Sequence, residues 1–480
     1  MTHYPRLERS SPPPAPGILH FGPGAFFRSF LAPYTDEAMS KASENWGIIA
    51  VSLKSPTARD LLAPQGCLYT AVERGQKGDI RRRIGAITGT LVAREDPAAV
   101  IDVMAGSEIR IVTLTITEKG YCQNPRDRSL QVTHPDIAHD TTTIDRPRSA
   151  IGYLVLALAR RRDANIPPFA VLSCDNLPSN GIVLRNLVIA LAQQREAAGK
   201  DQGLADWIAA HVAFPSTMVD RITPATTQAD FDALAEAEGL CDYALVVHEP
   251  FRQWVIENNF PLGCPDWEAS GAQMVSDVGR HELMKLRCLN GTHSALAYLG
   301  YLAGYETIEE ALKDALFSKF CEKLWHDEIL PTVSQPEGVN LPAYCADLLE
   351  RYRNPAIQHR TWQIAMDGSQ KLPQRILETV RDNLESGELP KGLCLVIAGW
   401  MHYIRGIDMN GQPIDVRDPM VGQLSEAASA QDPVGSLLSI ETIFGTDLAK
   451  SPALVDAIRS AYDNLADHGV LKSVTQYTRS

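Results

Sequence analysis

Ile18-Leu19-His20-Phe21-Gly22-Pro23-Gly24-Ala25-Phe26-Phe27-Arg28 is the stretch on which the reading of the fold turns. Four residues of strand character run into a glycine turn and then into a helical pattern. Glycines at such a junction let the backbone approach a pyrophosphate, and the following helix offers its positive dipole end. On that reading Gly22, Gly24, Phe26 and Arg28 face a dinucleotide. The third glycine of the usual fingerprint is absent and Phe27 stands in its place, so a plain tight strand-to-helix turn explains the same residues equally well.

Outward from this turn, apolar runs at 47–53, 109–117 and 169–174 alternate with helical patterns, the rhythm of a parallel sheet covered by helices. Upstream, five prolines between residues 5 and 16 deny ladder donors and helical dihedrals, so residues 1–16 read as an extended lead-in. Downstream the character changes. From His281 onward helical periodicity dominates, over 282–305, 308–326 and 373–386. The change falls near residue 275, giving an α/β region 1–275 and a largely α-helical region 276–480. A chain of 480 residues also exceeds the roughly 250–300 at which single cores stop growing.

Composition excludes several classes. At 45% hydrophobic and 21% charged the chain is ordinary globular protein, and a net charge of −13 leaves no footprint for nucleic acid. The two arginine triplets, 81–83 and 160–162, read as solvated charge, the second at the negative end of a helix dipole. Neither a membrane-length apolar run nor a signal-peptide core is visible, which implies a cytoplasmic protein without a membrane partner. Nine scattered cysteines with no C-x-x-C pair encode neither a disulfide framework nor a metal site.

In a doubly wound sheet an acidic residue after the second strand normally holds the adenine ribose. Here Lys54 stands there, a cation that tolerates a 2′-phosphate or, equally, a solvated loop residue.

The densest polar constellation is Glu282-Leu-Met-Lys285-Leu-Arg-Cys-Leu-Asn290-Gly-Thr-His293. At about 100° per residue, Glu282, His293 and Asn290 fall within roughly 140° of Lys285 on an otherwise apolar helix. A partly buried lysine can take an alcohol proton, a carboxamide can hold the alkoxide, and a glutamate can pass protons to solvent, chemistry that suits alcohol oxidation without a metal. A solvated helix face is the rival explanation. A second knot, Asp175-Asn176-Leu177-Pro178-Ser179-Asn180-Gly181, falls beyond the end of a strand, where doubly wound sheets bind ligands. Asn176 is a second candidate for the oxyanion, against an Asx turn and helix cap. A third, running from Arg360 through Gln363 and Lys371 to Arg375, is dense in donors, or is a capped turn.

Taken together, these segments resemble the mannitol dehydrogenase family of polyol-specific long-chain dehydrogenases, and within it the branch that reduces fructuronate. The resemblance runs from about Ile18 to the C-terminus and is carried by Thr117-Glu118-Lys119-Gly120-Tyr121, Ser173-Cys174-Asp175-Asn176, Met218-Val219-Asp220-Arg221-Ile222, Glu249-Pro250-Phe251-Arg252-Gln253-Trp254, and Lys285 through Asn290 to His293. It implies an α/β, Rossmann-type N-terminal domain, a largely α-helical C-terminal domain, a cleft between them, a nicotinamide cofactor (NAD or NADP) and no metal. By position it makes Lys285 the general acid/base, Asn176 and Asn290 the oxyanion pair and Glu282 a proton relay. Asp220, His293 and Lys371 are placed around substrate hydroxyls, and Thr117 and Glu118 beside the cofactor. A monomer is implied.

Two departures from the family pattern bear on function. The glycine turn usually continues Phe-His-Arg-Ala-His, and this chain reads Phe26-Phe27-Arg28-Ser29-Phe30. Mannitol dehydrogenases commonly carry arginine at the position of Gln363, whereas the fructuronate branch resembles the glutamine version, which points to a small sugar-acid substrate. A carboxylate needs a cation, for which Lys371, Arg360 and a protonated His293 are the candidates. The alternatives are a polyol 2-dehydrogenase acting on mannitol or arabinitol and, from another class, a cofactor-binding sensor without turnover; a lysine Schiff-base lyase stands further off.

Overall fold

The computed structural model describes residues 4–42, 45–75, 78–124, 127–143, 145–355 and 359–480. Residues 1–3 of the expected lead-in lie outside them. The chain divides into two compact units, the first ending at Gly279 and the second running Arg280–Ser480.

Strands in the first unit are β1 (Pro16–Phe21), β2 (Gly47–Ser52), β3 (Tyr69–Gly75), β4 (Gly78–Ile84), β5 (Ile87–Val92), β6 (Ile111–Leu114), β7 (Ala170–Ser173), β8 (Thr217–Asp220), β9 (Val246–His248), β10 (Gln253–Glu257) and β11 (Gln273–Val275). Five of them form a parallel sheet in the order β5-β2-β1-β6-β7. Numbered among themselves these read 3-2-1-4-5, the doubly wound order whose direction reverses between β1 and β6. Near-continuous apolar sequence makes such strands, because both faces are covered. Leu19, Phe21, Val112, Leu114 and Val171 pack on one side with the helices Pro97–Ala105, Ala150–Asp163 and Asn180–Ala197. Ile18, Ile48, Ala50, Ile111 and Leu172 face the other side, toward Phe30, Tyr34, Trp254 and Trp267. Fully burying each large side chain contributes about 1.5–3 kcal/mol.

Two small sheets, β4-β3-β9 and β11-β10-β8, are absent from the sequence reading. β4 is exposed along most of its length and rich in arginine, so it carries no alternation of apolar residues to read. Its triplet is also not simply solvated: Arg82 pairs with Glu37 at 2.8 Å, and Arg83 bonds Glu238 and Thr70. The second triplet corrects the expectation further. Arg161 is wholly buried and donates to the carbonyls of Met104 (2.8 Å), Pro167 (2.7 Å) and Ile109 (2.5 Å), joining the end of one helix to the next strand. Arg160 pairs with Asp102 at 2.5 Å.

The second unit is helical around one large core that includes Phe317, Trp325, Leu393 and Trp400. The long helices expected there are interrupted. Asp314 ends Ile308–Lys313 and caps Ala315–Leu324 by accepting from the Leu316 N–H at 2.8 Å. Three stretches are π-helical: Lys285–Gly291, Trp325–Ile329 and Pro373–Leu377. Buried Glu328 accepts from the Gly392 and Leu393 N–H groups (2.7 and 2.8 Å) and from the Tyr477 hydroxyl (2.9 Å), tying the C-terminal helix to the start of Lys391–Tyr403.

Among the described residues no helix is long and apolar enough to cross a membrane, and no cluster of three or more His, Cys, Asp or Glu side chains is arranged to hold a metal.

Candidate active site

In the first unit the residues named from the sequence gather at the reversal point of the sheet. Gly22 has φ +92°, and a Cβ there would lie 2.1 Å from the Thr115 carbonyl oxygen at the end of β6. Only glycine fits so close to the neighbouring strand. Its N–H bonds the Val51 carbonyl at 3.0 Å, so this residue ties the ends of three strands. Gly24 is exposed, and a Cβ on it would meet nothing nearer than 3.9 Å, leaving open space over the turn. Arg28 is half-buried, its guanidinium held to the Pro23 carbonyl at 2.9 Å, with Nε buried and without a partner among the described residues. An open glycine face beside an under-bonded guanidinium fits a phosphate-bearing cofactor. The helix expected after the turn is shorter than predicted, Ala25–Ser29, because Phe30 breaks it before Leu31–Ala42.

Phe27 and Phe30 are buried and point into the core rather than the turn. Phe27 stacks on His20 at 3.8 Å between ring centroids, while Phe30 packs on Phe26 and Trp254. The sequence reading missed His20, although it is a lone polar residue in an apolar strand. Its Nδ1 lies 2.8 Å from Thr113 Oγ1, and its Nε2 lies 3.2 Å from the Gly22 carbonyl. A carbonyl can only accept, so the ring proton sits on Nε2. Burial holds this imidazole neutral, with its pKa lowered to about 3.

Beyond β6, Thr117 takes a left-handed conformation, φ +63°. Asp175 stabilises it by accepting the Ile116 and Thr117 N–H groups (2.9 and 3.1 Å) and the Tyr121 hydroxyl (2.8 Å). Burial raises the Asp175 pKa despite these bonds. Asp175 was quoted within a motif without being given a role. The cap expected of this knot is made by Asn180, which bonds the Ser173, Asp175 and Thr217 carbonyls (3.2, 3.1 and 2.9 Å) and accepts from the Thr217 N–H at 2.9 Å. Asn176 is thereby exposed at the end of β7, and Asp220 is buried at the end of β8. Two motifs of the resemblance interlock for structural reasons: Arg221 donates to Phe251 and Ser29 carbonyls, and Glu249 accepts from the Ile222 N–H at 2.5 Å. Glu118 is exposed, as is Lys54, which pairs loosely with Asp136 at 3.4 Å.

In the second unit, Glu282 lies in Gly279–Met284, while Lys285 and Asn290 lie in the π-helical turn that follows. The angular reading from an α-helix is therefore corrected. A ladder of i→i+5 hydrogen bonds sets residue i+5 about one turn above residue i, so Lys285 and Asn290 stand closer to one face than an α-helix would put them. Lys285 is buried, 7% exposed, which removes the solvated-face explanation at that position. His293 begins the next helix, Thr292–Leu302, its ring 4.6 Å from Tyr352 and 5.2 Å from His359.

A protonated His293 does not survive the geometry. Desolvation, then the charges of His359, Arg351, Arg375 and Lys285, hold its pKa well below the usual value. His359 is lowered to about 4 by burial and by Arg351, Lys371 and Arg375. The strongest charges acting on both imidazoles are all cationic. Lys371 donates to the Met366 and Ile364 carbonyls (2.6 and 3.2 Å), which steadies the loop in which Gly368 abuts Trp400. Arg360 and Gln363 are exposed. Arg375, His359, Arg351 and Tyr352 went unassigned in the sequence, though Arg375 closes the donor-rich segment.

A doubly wound sheet with an open glycine turn at its reversal point, followed by a helical unit carrying a buried lysine, defines a nucleotide-dependent oxidoreductase architecture. Comparison with known proteins narrows the class: residues 16–269 match the mannitol dehydrogenase Rossmann domain and 277–466 the mannitol dehydrogenase C-terminal domain. The chain belongs to the mannitol dehydrogenase family, whose members are oxidoreductases acting on CH–OH groups. It is 44% identical to a D-mannonate oxidoreductase of Escherichia coli over 464 residues, 95% of this chain and 94% of that protein. A mannitol 2-dehydrogenase of Aspergillus clavatus is 41% identical over 470 residues, 96% of this chain and 93% of that one. The structure resembles that of Pseudomonas fluorescens mannitol 2-dehydrogenase in ternary complex with NAD and D-mannitol, with TM-score 0.84 and 37% identity over 99% of this chain and 100% of that one.

Proposed function

We propose that the chain is an NAD(P)-dependent reductase interconverting a ketose acid and a sugar acid, D-fructuronate and D-mannonate in the first instance, in a soluble, cytoplasmic and monomeric form without a catalytic metal. The observation that carries the substrate class is the accumulation of Lys285, Arg351, Lys371 and Arg375 around two neutral histidines in a protein of net charge −13. Concentrated buried cations cost free energy unless an anion balances them. The resemblance to a D-mannonate oxidoreductase supports the same class.

Gly22, Gly24, Phe26 and Arg28 would hold the dinucleotide, with Thr117 and Glu118 beside it and Lys54 near the adenine ribose. When bound, the nicotinamide supplies or accepts hydride at the carbinol carbon. Lys285 donates the proton to the carbonyl oxygen in reduction and removes it from the hydroxyl in oxidation. Asn176 and Asn290 donate hydrogen bonds to that oxygen as it gains charge, each such donor being worth about a hundredfold or more in turnover. Glu282 returns the Lys285 proton to solvent. Neutral His293, Asp220 and Lys371 orient the substrate hydroxyls, with Gln363 and Arg360 at the edge of the pocket.

The test is Lys285→Ala. Turnover of fructuronate with NADH or NADPH should fall at least about a thousandfold, with cofactor binding, followed by its fluorescence, retained. Near-normal turnover would end the assignment. A second reading, a polyol 2-dehydrogenase, is favoured by the mannitol 2-dehydrogenases at 41% and 37% identity. A rate comparison of fructuronate and tagaturonate against fructose and xylulose separates the two, because only the first reading demands a preference for the carboxylate.

A further inference from the structure

Arg375 is the cation of the second unit whose bonding is least complete. Its guanidinium carries five N–H groups, yet among the described residues it makes one side-chain hydrogen bond, from Nη1 to Ser294 Oγ at 3.3 Å, and no ion pair. Other cations nearby are committed. Lys371 spends two of its donors on backbone carbonyls, and Arg287 pairs with Asp382 at 2.6 Å and donates to the Thr332 carbonyl at 2.7 Å. Lys285 is reserved for proton transfer. Arg375 is also half-buried, and desolvation lowers its hold on its proton, so neither bulk water nor a protein carboxylate compensates its charge.

The backbone of Arg375 is held close to the lysine. It lies in the π-helical turn Pro373–Leu377, which packs on the π-helical turn Lys285–Gly291. The contact point is Gly291, where a Cβ would stand 2.9 Å from the Arg375 carbonyl oxygen, so any larger residue would part the two turns. Ser294 belongs to the same helix as His293, one residue on. The charge of Arg375 acts on both His293 and His359. A planar guanidinium with free parallel N–H groups matches a carboxylate in bidentate fashion, which an ammonium cannot do.

Resting on the sugar-acid reading above, we propose that Arg375 receives the carboxylate of the substrate, oriented by Ser294, and so sets the preference of the enzyme for acids over neutral polyols.

The experiment compares wild type, Arg375→Gln and Arg375→Lys in kcat/KM for fructuronate and for fructose, with NADH titration as the control for an intact cofactor site. In wild type the ratio of the two should favour fructuronate. Removing one partner of a recessed charge pair costs about a hundredfold or more, so in Arg375→Gln that ratio should collapse by about this factor, chiefly through KM. Arg375→Lys, which keeps the charge and loses the fork, should lie between the two and serves as the deciding variant if the glutamine protein does not fold. A loss equal for fructuronate and fructose would show that Arg375 only supports the fold, and would overturn the inference while leaving the sugar-acid reading standing. A wild type that prefers fructose would overturn the sugar-acid reading itself.

Discussion

Acid should loosen the first unit through His20, and the size of the effect follows from its surroundings. The ring is wholly buried between Thr113, the Gly22 carbonyl and Phe27, and its pKa is lowered to about 3 from 6.5. In the unfolded chain this histidine takes a proton below pH 6.5; in the folded chain it does so only near pH 3. Stability contributed by the neutral ring is therefore intact above pH 6.5 and drains away as the pH falls toward 3, at about 1.36 kcal/mol per pH unit. At pH 5 the loss is about 2 kcal/mol, equivalent to about 4–8 °C in Tm for a unit of this size. His20→Gln keeps an N–H for the Gly22 carbonyl but cannot titrate. Melting both proteins between pH 7.5 and 5 should show wild type losing about 4–8 °C more than the variant, a difference from which the other buried histidines cancel. Parallel curves for the two proteins would refute the reasoning.

Gly22→Ala forces a Cβ onto the Thr115 carbonyl and a side chain into a left-handed conformation that costs about 1–2 kcal/mol even without the clash; NADH affinity by fluorescence titration should drop sharply, and unchanged affinity would remove the turn from the cofactor site. Asp175→Ala strips the acceptor from the Ile116 and Thr117 N–H groups, so chemical denaturation should register a loss of about 2 kcal/mol and turnover should fall with it, a silent substitution being the contrary result. Lys54 is largely exposed and loosely paired, so Lys54→Asp should leave stability within about 0.5 kcal/mol while shifting the NADPH-to-NADH ratio of kcat/KM toward NADH by at least about tenfold; a fixed ratio would take Lys54 away from the ribose.

Most of the fold was legible because the parallel strands announce themselves. β1, β2, β6 and β7 are short apolar runs bounded by turns, and a strand buried on both faces leaves that trace. β4 left none, since an exposed strand of arginines satisfies no burial pattern, and Arg161 looked solvated because a sequence does not show which carbonyls a guanidinium will meet. The lysine helix was found by its polar residues, yet its winding was misjudged: a π-helical turn depends on what packs against it, here the turn containing Arg375, and nothing local encodes that contact. His293 was taken as a possible cation because its residue type permits it; four neighbouring positive groups, spread from position 285 to 375, decide otherwise. Asp175 and Asn180 lay in plain view within one motif, and only the coordinates divide their labour from that of Asn176.

The π-helical turn at Lys285–Gly291 also constrains how this chain can change its length. Winding in that stretch uses one more residue per turn than the helices on either side. Excising a single residue between Leu286 and Leu289 would let the segment relax into an uninterrupted α-helix, rotating everything after it by about 100° relative to the lysine. His293 and Ser294 would then be carried out of register with Lys285 without any of the three being altered. Substitution at these positions leaves the phase of the helix untouched, whereas insertion or deletion here is a change of phase.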